Sequence, residues 1–518
     1  LEENQIYESN FQQFIITKKM RSQSGILEVA LLTSPWDMEG KNNGCDWDCY
    51  YCPNQEGMPR SYIRNEPAVL RAEKNGFSPM LQIYDRLSTY DVNGHYINKL
   101  EIIVLGGTWS SYSHNYQKEF IRDVYYAANT YFDINKREKY SLFEEQTINT
   151  KALCKIVGLT LETRPDCINE EEITRFLEYG VTRVQIGIQT TDEYILKKIN
   201  RGCNNADAIR ALRLLKDAGL KVLIHLMPNL PFSTPENDKE MFKTILNYEN
   251  RDKNGSFIAD EIKIYPTSVT TTSDKDNTEV TTVIEKWFND GKYVPYSNEE
   301  LFELLVWVKE RIQPYIRLTR IFRDIPVANI CGGANIPNMR EELKKMLKTP
   351  CRCIRCREVK NIKVEPKDIK YNTRRIISSE SVEYFLSYES KTKEDKLLHG
   401  FLRLRFPKTK NYTFVRELHV YGTVAPTYIK KNKSNNQHKG LGKSLLKSAE
   451  WITYLLCYDK ILINSGVGVR DYYKKLGYKL NKDNYMEKQF TINCREIYMS
   501  MVVLCLSLVL LCKAIYIK

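Results

Sequence analysis

The chain has 518 residues, enough for two or three domains with sizeable cores. Its 27% charged and 42% hydrophobic residues are ordinary for a soluble globular protein and exclude a disordered one. A formal net charge of +13 points to a polyanion, nucleic acid first, although a chain rich in Lys, Asn, Ile and Tyr also drifts basic without binding anything. Fourteen cysteines are scattered apart from two clusters, and no signal peptide precedes them. That speaks for a reducing compartment and metal-bound thiols rather than a disulfide framework. The chain opens on Leu1 rather than Met, so the natural N-terminus is expected to be missing.

The first informative stretch is Cys45-Asp-Trp-Asp-Cys49-Tyr-Tyr-Cys52-Pro, a C-x3-C-x2-C spacing with Tyr51 before the last cysteine. Four thiolates would saturate an iron–sulfur cube, whereas three leave one iron open to a small molecule. S-adenosylmethionine (SAM) is the usual guest, and one electron splits it to a carbon radical. The competing reading is structural zinc, but zinc wants a fourth ligand, and no Cys or His lies between Cys52 and His95.

Leu100–Gly107 is a short apolar run closed by glycines, and similar runs recur at Val157–Glu162, Thr182–Gln189 and Lys221–Met227. Between them lie helical patterns at Glu170–Tyr179 and Ala206–Ala218. This alternation predicts βαβ units around a parallel sheet or partial barrel, with chemistry at the C-terminal ends of its strands. Gly106, Gly107, Glu162, Gln189 and His225 fall there, and Gly106-Gly107-Thr108 would let backbone approach the methionyl end of SAM. Ile134–Thr150 and Thr267–Thr282 are polar tracts expected to be surface loops.

Cys351-Arg-Cys353-Ile-Arg-Cys356 packs three thiols into six residues. With Cys331 as the candidate fourth ligand they could close a structural zinc site, the alternative being surplus buried thiols. From about Asn372 alternating strands such as Gly400–Phe406 suggest an antiparallel sheet. Within it, Arg416–Val420 is followed by Gln437-x-x-Gly440-x-Gly442 and the helical run Lys443–Trp451. A glycine loop opening a helix is an anion site, and this order suits the pyrophosphate of coenzyme A in a GNAT-type acetyltransferase. A P-loop is the alternative, although no glycine stands five residues before Gly442. Farther on, a tyrosine of the Tyr472-Tyr473 pair could protonate the departing coenzyme A thiolate, with Tyr473 the candidate catalytic residue, unless both are core aromatics. Ile497–Cys512 carries no charge and, counted to Ile517, predicts a C-terminal transmembrane helix. Its alternatives are an aberrant chain end or a buried terminal helix.

The expected fold class is therefore α/β, in four parts. A partial TIM-type radical-SAM barrel spans 1–314, a linker with zinc-binding cysteines 315–370, a GNAT-type α/β acetyltransferase domain 371–490 and a tail anchor 496–517. The catalytic domains would face the cytosol.

With these motifs in hand, the chain closely resembles the catalytic subunit family of the Elongator complex, from Arg21 to Met486. The resemblance is carried by Tyr-Tyr-Cys52-Pro, Leu-Gly-Gly-Thr108, Leu161-Glu-Thr-Arg-Pro-Asp166, Gln185-Ile-Gly-Ile-Gln189, His225-Leu-Met-Pro-Asn-Leu-Pro231, Arg323-Asp-Ile-Pro326, Arg355-Cys-Arg-Glu-Val359, Arg416-Glu-Leu-His-Val-Tyr-Gly422 and Ser465-Gly-Val-Gly468. It implies a tRNA-modifying enzyme that builds the carboxymethyl group at C5 of the wobble uridine. The implied cofactors are a 4Fe-4S cluster and SAM, with acetyl-CoA as substrate; the implied partners are tRNA and other Elongator subunits. An acetyl methyl C–H is too weak an acid for a side-chain base, whereas a deoxyadenosyl radical can take that hydrogen. The resulting carbon radical can add to uracil. Residue by residue, Lys99, Glu417, Leu418, His419, Val420, Leu441, Gly442, Lys443, Ser444 and Tyr473 match the family's acetyl-CoA contacts. Lys99 belongs to the radical half, so the acyl group would bridge the domains. After Tyr265-Pro-Thr267 the family usually continues Arg-Gly-Thr, and this chain does not. A protein lysine acetyltransferase using only the second domain is the competing function, with His419 and Glu417 available as bases.

Overall fold

The structure, a computed structural model, describes residues 25–36, 44–271, 282–336, 338–360, 362, 364–391, 396–422 and 440–491. Its first half is an arc of seven parallel strands: β1 (Leu27–Leu32), β2 (Lys99–Leu105), β3 (Lys155–Thr163), β4 (Arg183–Gln189), β5 (Lys221–Leu226), β6 (Glu261–Ile264) and, past the short β7 (Ser268–Thr270), β8 (Arg317–Arg320). They pair in that order, each in parallel with the next, so the arc is an open half-barrel. Strand runs such as Val184-Gln-Ile-Gly-Ile188 are buried on both faces, as parallel strands roofed by helices must be. The helices Glu170–Tyr179 and Asn205–Asp217 fall where the 3.6-residue spacing of apolar positions puts them. Asn169 and Asn204 cap their first turns.

The tract 134–150 is not all loop. Leu142–Asn149 is a helix opened by a capping box in which Ser141 and Glu144 satisfy each other's backbone N–H groups. Its amphipathic stripe is weak, and only the cap could have revealed it. β7 pairs antiparallel with β9 (Ile330–Gly333), in a two-stranded ribbon outside the barrel.

The second half is another seven-stranded sheet. β10 (Lys370–Ser378), β11 (Ser381–Lys391), β12 (Lys396–Phe406) and β13 (Tyr412–Val420) form an antiparallel meander. Its first turn is the pair Ser379-Glu380, both at positive φ as a tight hairpin requires. β14 (Lys460–Ile463) then pairs in parallel with β13 and antiparallel with β16 (Met486–Gln489), whose other edge holds β15 (Lys479–Leu480). The parallel pairing covers only Tyr412–Val415, so from Arg416 to Val420 β13 runs on without β14 beside it. A parallel pair that parts midway opens a wedge in the sheet, and the helix Leu441–Leu455 begins at that wedge.

The two sheets are locked together by ions and close backbone contact. Arg416 and Arg403, both fully buried on the second sheet, reach Asp260 at the foot of β6, and Arg416 also donates to the Leu220 carbonyl (2.7 Å). Gly466 presses so closely on β3 that a Cβ there would stand 2.0 Å from the Val157 carbonyl oxygen. The 351–358 linker ties into both. The Ile354 N–H donates to Ile316 before β8, while the Val359 N–H donates to Leu398 of β12.

The expected C-terminal transmembrane helix is withdrawn. No helix among the described residues is long and apolar enough to cross a membrane. Residues 496–517 themselves lie outside the described residues.

Candidate active site

The three-cysteine loop lies over the C-terminal ends of the parallel strands. Cys49 and Cys52 close one turn, the Cys52 N–H donating to the Cys49 carbonyl (2.9 Å). The Tyr50 N–H donates to Ile199, at the end of the helix Glu193–Lys198 that follows β4 (3.0 Å). Cys45 Sγ lies 3.0 Å from the Thr108 hydroxyl, beside the glycine pair that ends β2. Three guanidinium groups surround the thiols. Arg164 and Arg201 stand 3.6 and 3.5 Å from Cys49 Sγ, and Arg60 faces Cys52. Burial pushes the Cys52 thiol up, and Arg60 pulls it back toward the thiolate. Trp47 stacks on Arg164 at 4.1 Å and fixes that cation. Three thiols ringed by three cations suit an anionic iron–sulfur cube held by Cys45, Cys49 and Cys52.

The glycine pair has a partly different explanation from the one its motif suggests. Gly106 has φ +119, and a Cβ there would meet the Thr33 hydroxyl at 2.0 Å, so the neighbouring strand end already demands glycine. Gly107, at φ +51, lies against the Gly44 carbonyl that leads into Cys45, and its own N–H donates to Arg60.

Contacts that skip a strand show which side chains fill the hollow of the barrel. Arg183 of β4 pairs with Glu101 of β2 and Glu261 of β6, and donates to Thr160 of β3 between them (3.0 Å). Gly158 makes room, since a Cβ there would touch Glu101 Cγ at 3.3 Å. Nearer the thiols, Gln185 Oε1 accepts from His225 Nε2 (2.9 Å) and from Lys263 Nζ. His225 Nδ1 lies 3.5 Å from Glu162. Burial, then Lys263, hold His225 well below the usual imidazole range, so it is neutral and its contact with Glu162 is not an ion pair. Burial raises Glu162 and brings Lys263 down to about 8. Gln189 has φ +72 and a buried side-chain oxygen with no hydrogen-bond partner among the described residues, an acceptor available to a ligand. These orphaned and neutral polar groups beside the thiols fit SAM.

Cys351, Cys353 and Cys356 converge, their Sγ atoms all within 4.8 Å of one another. Cys331 is not among them. It sits exposed on β9, its Sγ 3.5 Å from the Val269 carbonyl.

The residues matched to acetyl-CoA gather at the opposite, N-terminal ends of the strands. Glu417 of β13 lies 3.6 Å from Lys221 at the foot of β5 and 3.0 Å from Arg403. His419 packs against Tyr421 at 4.3 Å, with Phe401 6.3 Å away on one side of the pair, and its pKa is lowered chiefly by burial. Lys99 begins β2 beside Lys155, where the Gly466–Gly468 turn packs, and burial lowers its pKa. The helix of Leu441, Gly442, Lys443 and Ser444 starts at Gly440, at φ +78, with no side chain capping it. Gly442 nestles against Val420, a Cβ there falling 3.4 Å from Val420 Cγ2 and 3.8 Å from the Tyr472 hydroxyl. Leu418 packs on the second core, and Ser444 Oγ hydrogen bonds with Tyr388 (2.7 Å). Tyr473 is buried in that core, whereas Tyr472 is 38% exposed. Gln437 lies outside the described residues.

Motif spacing missed Arg60, Arg201 and Lys263, because a cation that balances a thiolate needs no fixed sequence offset. Arg164 could have been found, since it sits inside Leu161-Glu-Thr-Arg-Pro-Asp166.

A parallel half-barrel with a three-cysteine loop at its C-terminal mouth defines a radical SAM enzyme, and the family models agree. The Radical SAM superfamily matches residues 41–245 and the Radical_SAM C-terminal domain matches residues 259–349. The tRNA uridine(34) acetyltransferase of Dehalococcoides mccartyi is 36% identical over 480 residues, 89% of this chain and 97% of that protein. Elongator complex protein 3 of Saccharomyces cerevisiae is 35% identical over 502 residues, 91% of this chain and 84% of that protein. The structure of Methanocaldococcus infernus Elp3 with an N-terminal deletion superposes with a TM-score of 0.73 at 35% identity, covering 90% of this chain and all of that one. The chain belongs to the Elongator protein 3 family of tRNA uridine(34) acetyltransferases.

Proposed function

We propose that this chain modifies C5 of the wobble uridine of tRNA, using acetyl-CoA held at the foot of the half-barrel and a radical made at its mouth. The tRNA-modifying acetyltransferase activity follows from family membership. The cluster and SAM bound at Cys45, Cys49 and Cys52 supply a carbon-centred radical able to take a hydrogen atom from the acetyl methyl group.

The observation that supports the reading is that the cysteine loop and the residues matched to acetyl-CoA lie at opposite ends of the same strands, with a polar barrel interior between them. β2 is seven residues long, so the thiols and the acyl site stand about 20 Å apart along the strands. Between them the barrel is lined not by apolar layers but by Glu101, Thr160, Arg183, Gln185, Glu261 and Lys263. An acyl group passing between the two mouths would have to part the Arg183 pairs with Glu101 and Glu261. The uncapped helix N-terminus at Leu441 and Gly442 is the place for the pyrophosphate of coenzyme A. Tyr472, with its hydroxyl beside that turn, is the proton donor to the departing thiolate, and Tyr473 supports it from the core. Other Elongator subunits are the proposed protein partners. The convergent thiols of Cys351, Cys353 and Cys356 are proposed to hold zinc with a fourth ligand other than Cys331.

Protein lysine acetylation is less well served. Glu417 is engaged by Arg403 and Lys221, and His419 is buried against Tyr421, so neither is poised as a base. The test is release of free coenzyme A from acetyl-CoA with and without tRNA. Wild type should respond to tRNA. Tyr472→Phe should slow the release by about a hundredfold, as loss of a general acid does. Tyr473→Phe should mainly lower stability. Release indifferent to tRNA, or equal rates in Tyr472→Phe and wild type, would contradict these assignments.

A further inference from the structure

A line of aromatic rings runs from the cysteine loop out to the protein surface, and none of its members is used above. Tyr50, between Cys49 and Tyr51, meets Trp287 edge-on at 5.6 Å. Trp287 meets Phe232 at 5.4 Å, and Phe232 meets Tyr194 at 6.3 Å. The four rings come from the cysteine loop, the helix Val283–Asn289, the loop after β5 and the helix after β4, all at the C-terminal mouth. The two outer rings are unusually open to solvent for their size, Tyr194 at 59% and Phe232 at 47%.

Phe232 is there against its own backbone preference. It adopts φ +71, the left-handed region that disfavours bulky side chains, and its ring is not stowed in the core. Tyr194 and Phe232 flank in sequence the buried cluster of Ile195, Ile199 and Leu230, on which Tyr51 of the cysteine loop packs. Lys198 Nζ stands 5.4 Å from the Tyr194 ring centre and 5.7 Å from that of Phe232, with Lys197 and Lys286 also exposed nearby. The adjacent acids are engaged. Asp192 accepts from the Tyr194 and Ile195 N–H groups, and Glu193 accepts from the Asn205 N–H.

We propose that Tyr194 and Phe232, with Lys197 and Lys198, form a stacking platform for unpaired bases of the RNA strand flanking the target uridine. Open aromatic faces interleaved with lysines are what a single strand of RNA recognises, through base stacking and phosphate pairing. A protein partner would leave the lysines without complementary charge, and a chain carrying +13 presents them here beside the reactive mouth. The platform rests on the tRNA-modifying reading and deepens it by saying where the anticodon loop lies.

The test uses full-length protein and a tRNA transcript carrying 2-aminopurine beside the wobble position. Phe232→Gly removes the ring and relieves the strained φ, so its melting temperature should hold or rise. Its affinity for tRNA should fall by about tenfold, and the Tyr194→Ala/Phe232→Gly double variant should lose about tenfold more. The change in 2-aminopurine fluorescence seen with wild type should disappear. The salt dependence of binding should be unchanged in the double variant, and shallower by about 1.4 in log–log slope in Lys197→Ala/Lys198→Ala. Wild-type affinity and fluorescence in the double variant, with wild type itself binding tRNA, would overturn the platform and leave the function standing. A wild-type protein that does not bind tRNA would overturn both.

Discussion

Replacing Cys49 with serine is expected to abolish cluster loading and, with it, all SAM-dependent chemistry. Each of the three thiolates would ligate one iron corner, and a serine hydroxyl is a far poorer ligand for that soft site. Cys49 is also the member whose surroundings are most committed. It is 5% exposed, and Arg164 and Arg201 both converge on its sulfur. Without the thiolate Arg201 keeps the Gly187 carbonyl but no anion at that sulfur, and Arg164 keeps only Asp166 as counter-charge, so the loop should bind iron poorly rather than reform around serine. Iron content and the broad visible absorbance after anaerobic reconstitution should fall to background. SAM cleavage should be undetectable, while the melting temperature shifts by only a few degrees, because the loop lies outside the main core. Normal iron content in Cys49→Ser would show that the cluster is held elsewhere.

The second large effect is expected at the seam between the sheets. Arg416 is fully buried between Asp260 and Glu383. Arg416→Met would leave both buried carboxylates with only the longer ion pairs to Arg403 (3.6 and 3.8 Å), at a cost of about 3–5 kcal/mol. The same change together with Asp260→Asn and Glu383→Gln should recover much of that loss, since Arg403 keeps Glu417 (3.0 Å) and no carboxylate is left without its main partner. Urea denaturation of the single and triple variants measures the difference, and equal destabilisation in both would refute the ionic explanation. The seam also gives a direction with pH. Burial alone would raise these carboxyls, but Arg416 holds Asp260 far below its ordinary range, and Arg183 brings Glu261 down to about 2. Depressed carboxyls stabilise the fold above their unfolded pKa values, and that stabilisation is lost as pH falls. Stability should therefore decline from about pH 4.5 toward pH 2.

Much of the half-barrel was legible because its strands are apolar runs and its helices carry clean caps. Glu170–Tyr179 begins and ends where the sequence places it, between Asn169 and Gly180. The three cysteines declared their chemistry by spacing alone. What the sequence could not show is anything that depends on two distant segments meeting. Arg416 stands in a motif attached to the acyl strand, yet its side chain crosses to Asp260 and holds the sheets together. Cys331 looked like a fourth thiol ligand until its strand paired with β7 and carried it away from Cys351, Cys353 and Cys356. The motif points to Tyr473 as the acid, yet the turn of its short helix sends Tyr473 to the core and the Tyr472 hydroxyl to Gly442. The terminal run to Ile517 has the length and hydropathy of a span, but it lies outside the described residues, and no helix among those is long and apolar enough to cross a membrane.

The most direct measurement follows the acetyl carbon. Anaerobically reconstituted protein is incubated with SAM, a tRNA carrying unmodified wobble uridine, and acetyl-CoA labelled at the methyl carbon with carbon-13. The tRNA nucleosides are then analysed by mass spectrometry. The expected result is labelled carboxymethyl on the wobble uridine, formed only when both SAM and an intact cysteine loop are present. Label found on protein lysines, or in uridine without SAM, would contradict it.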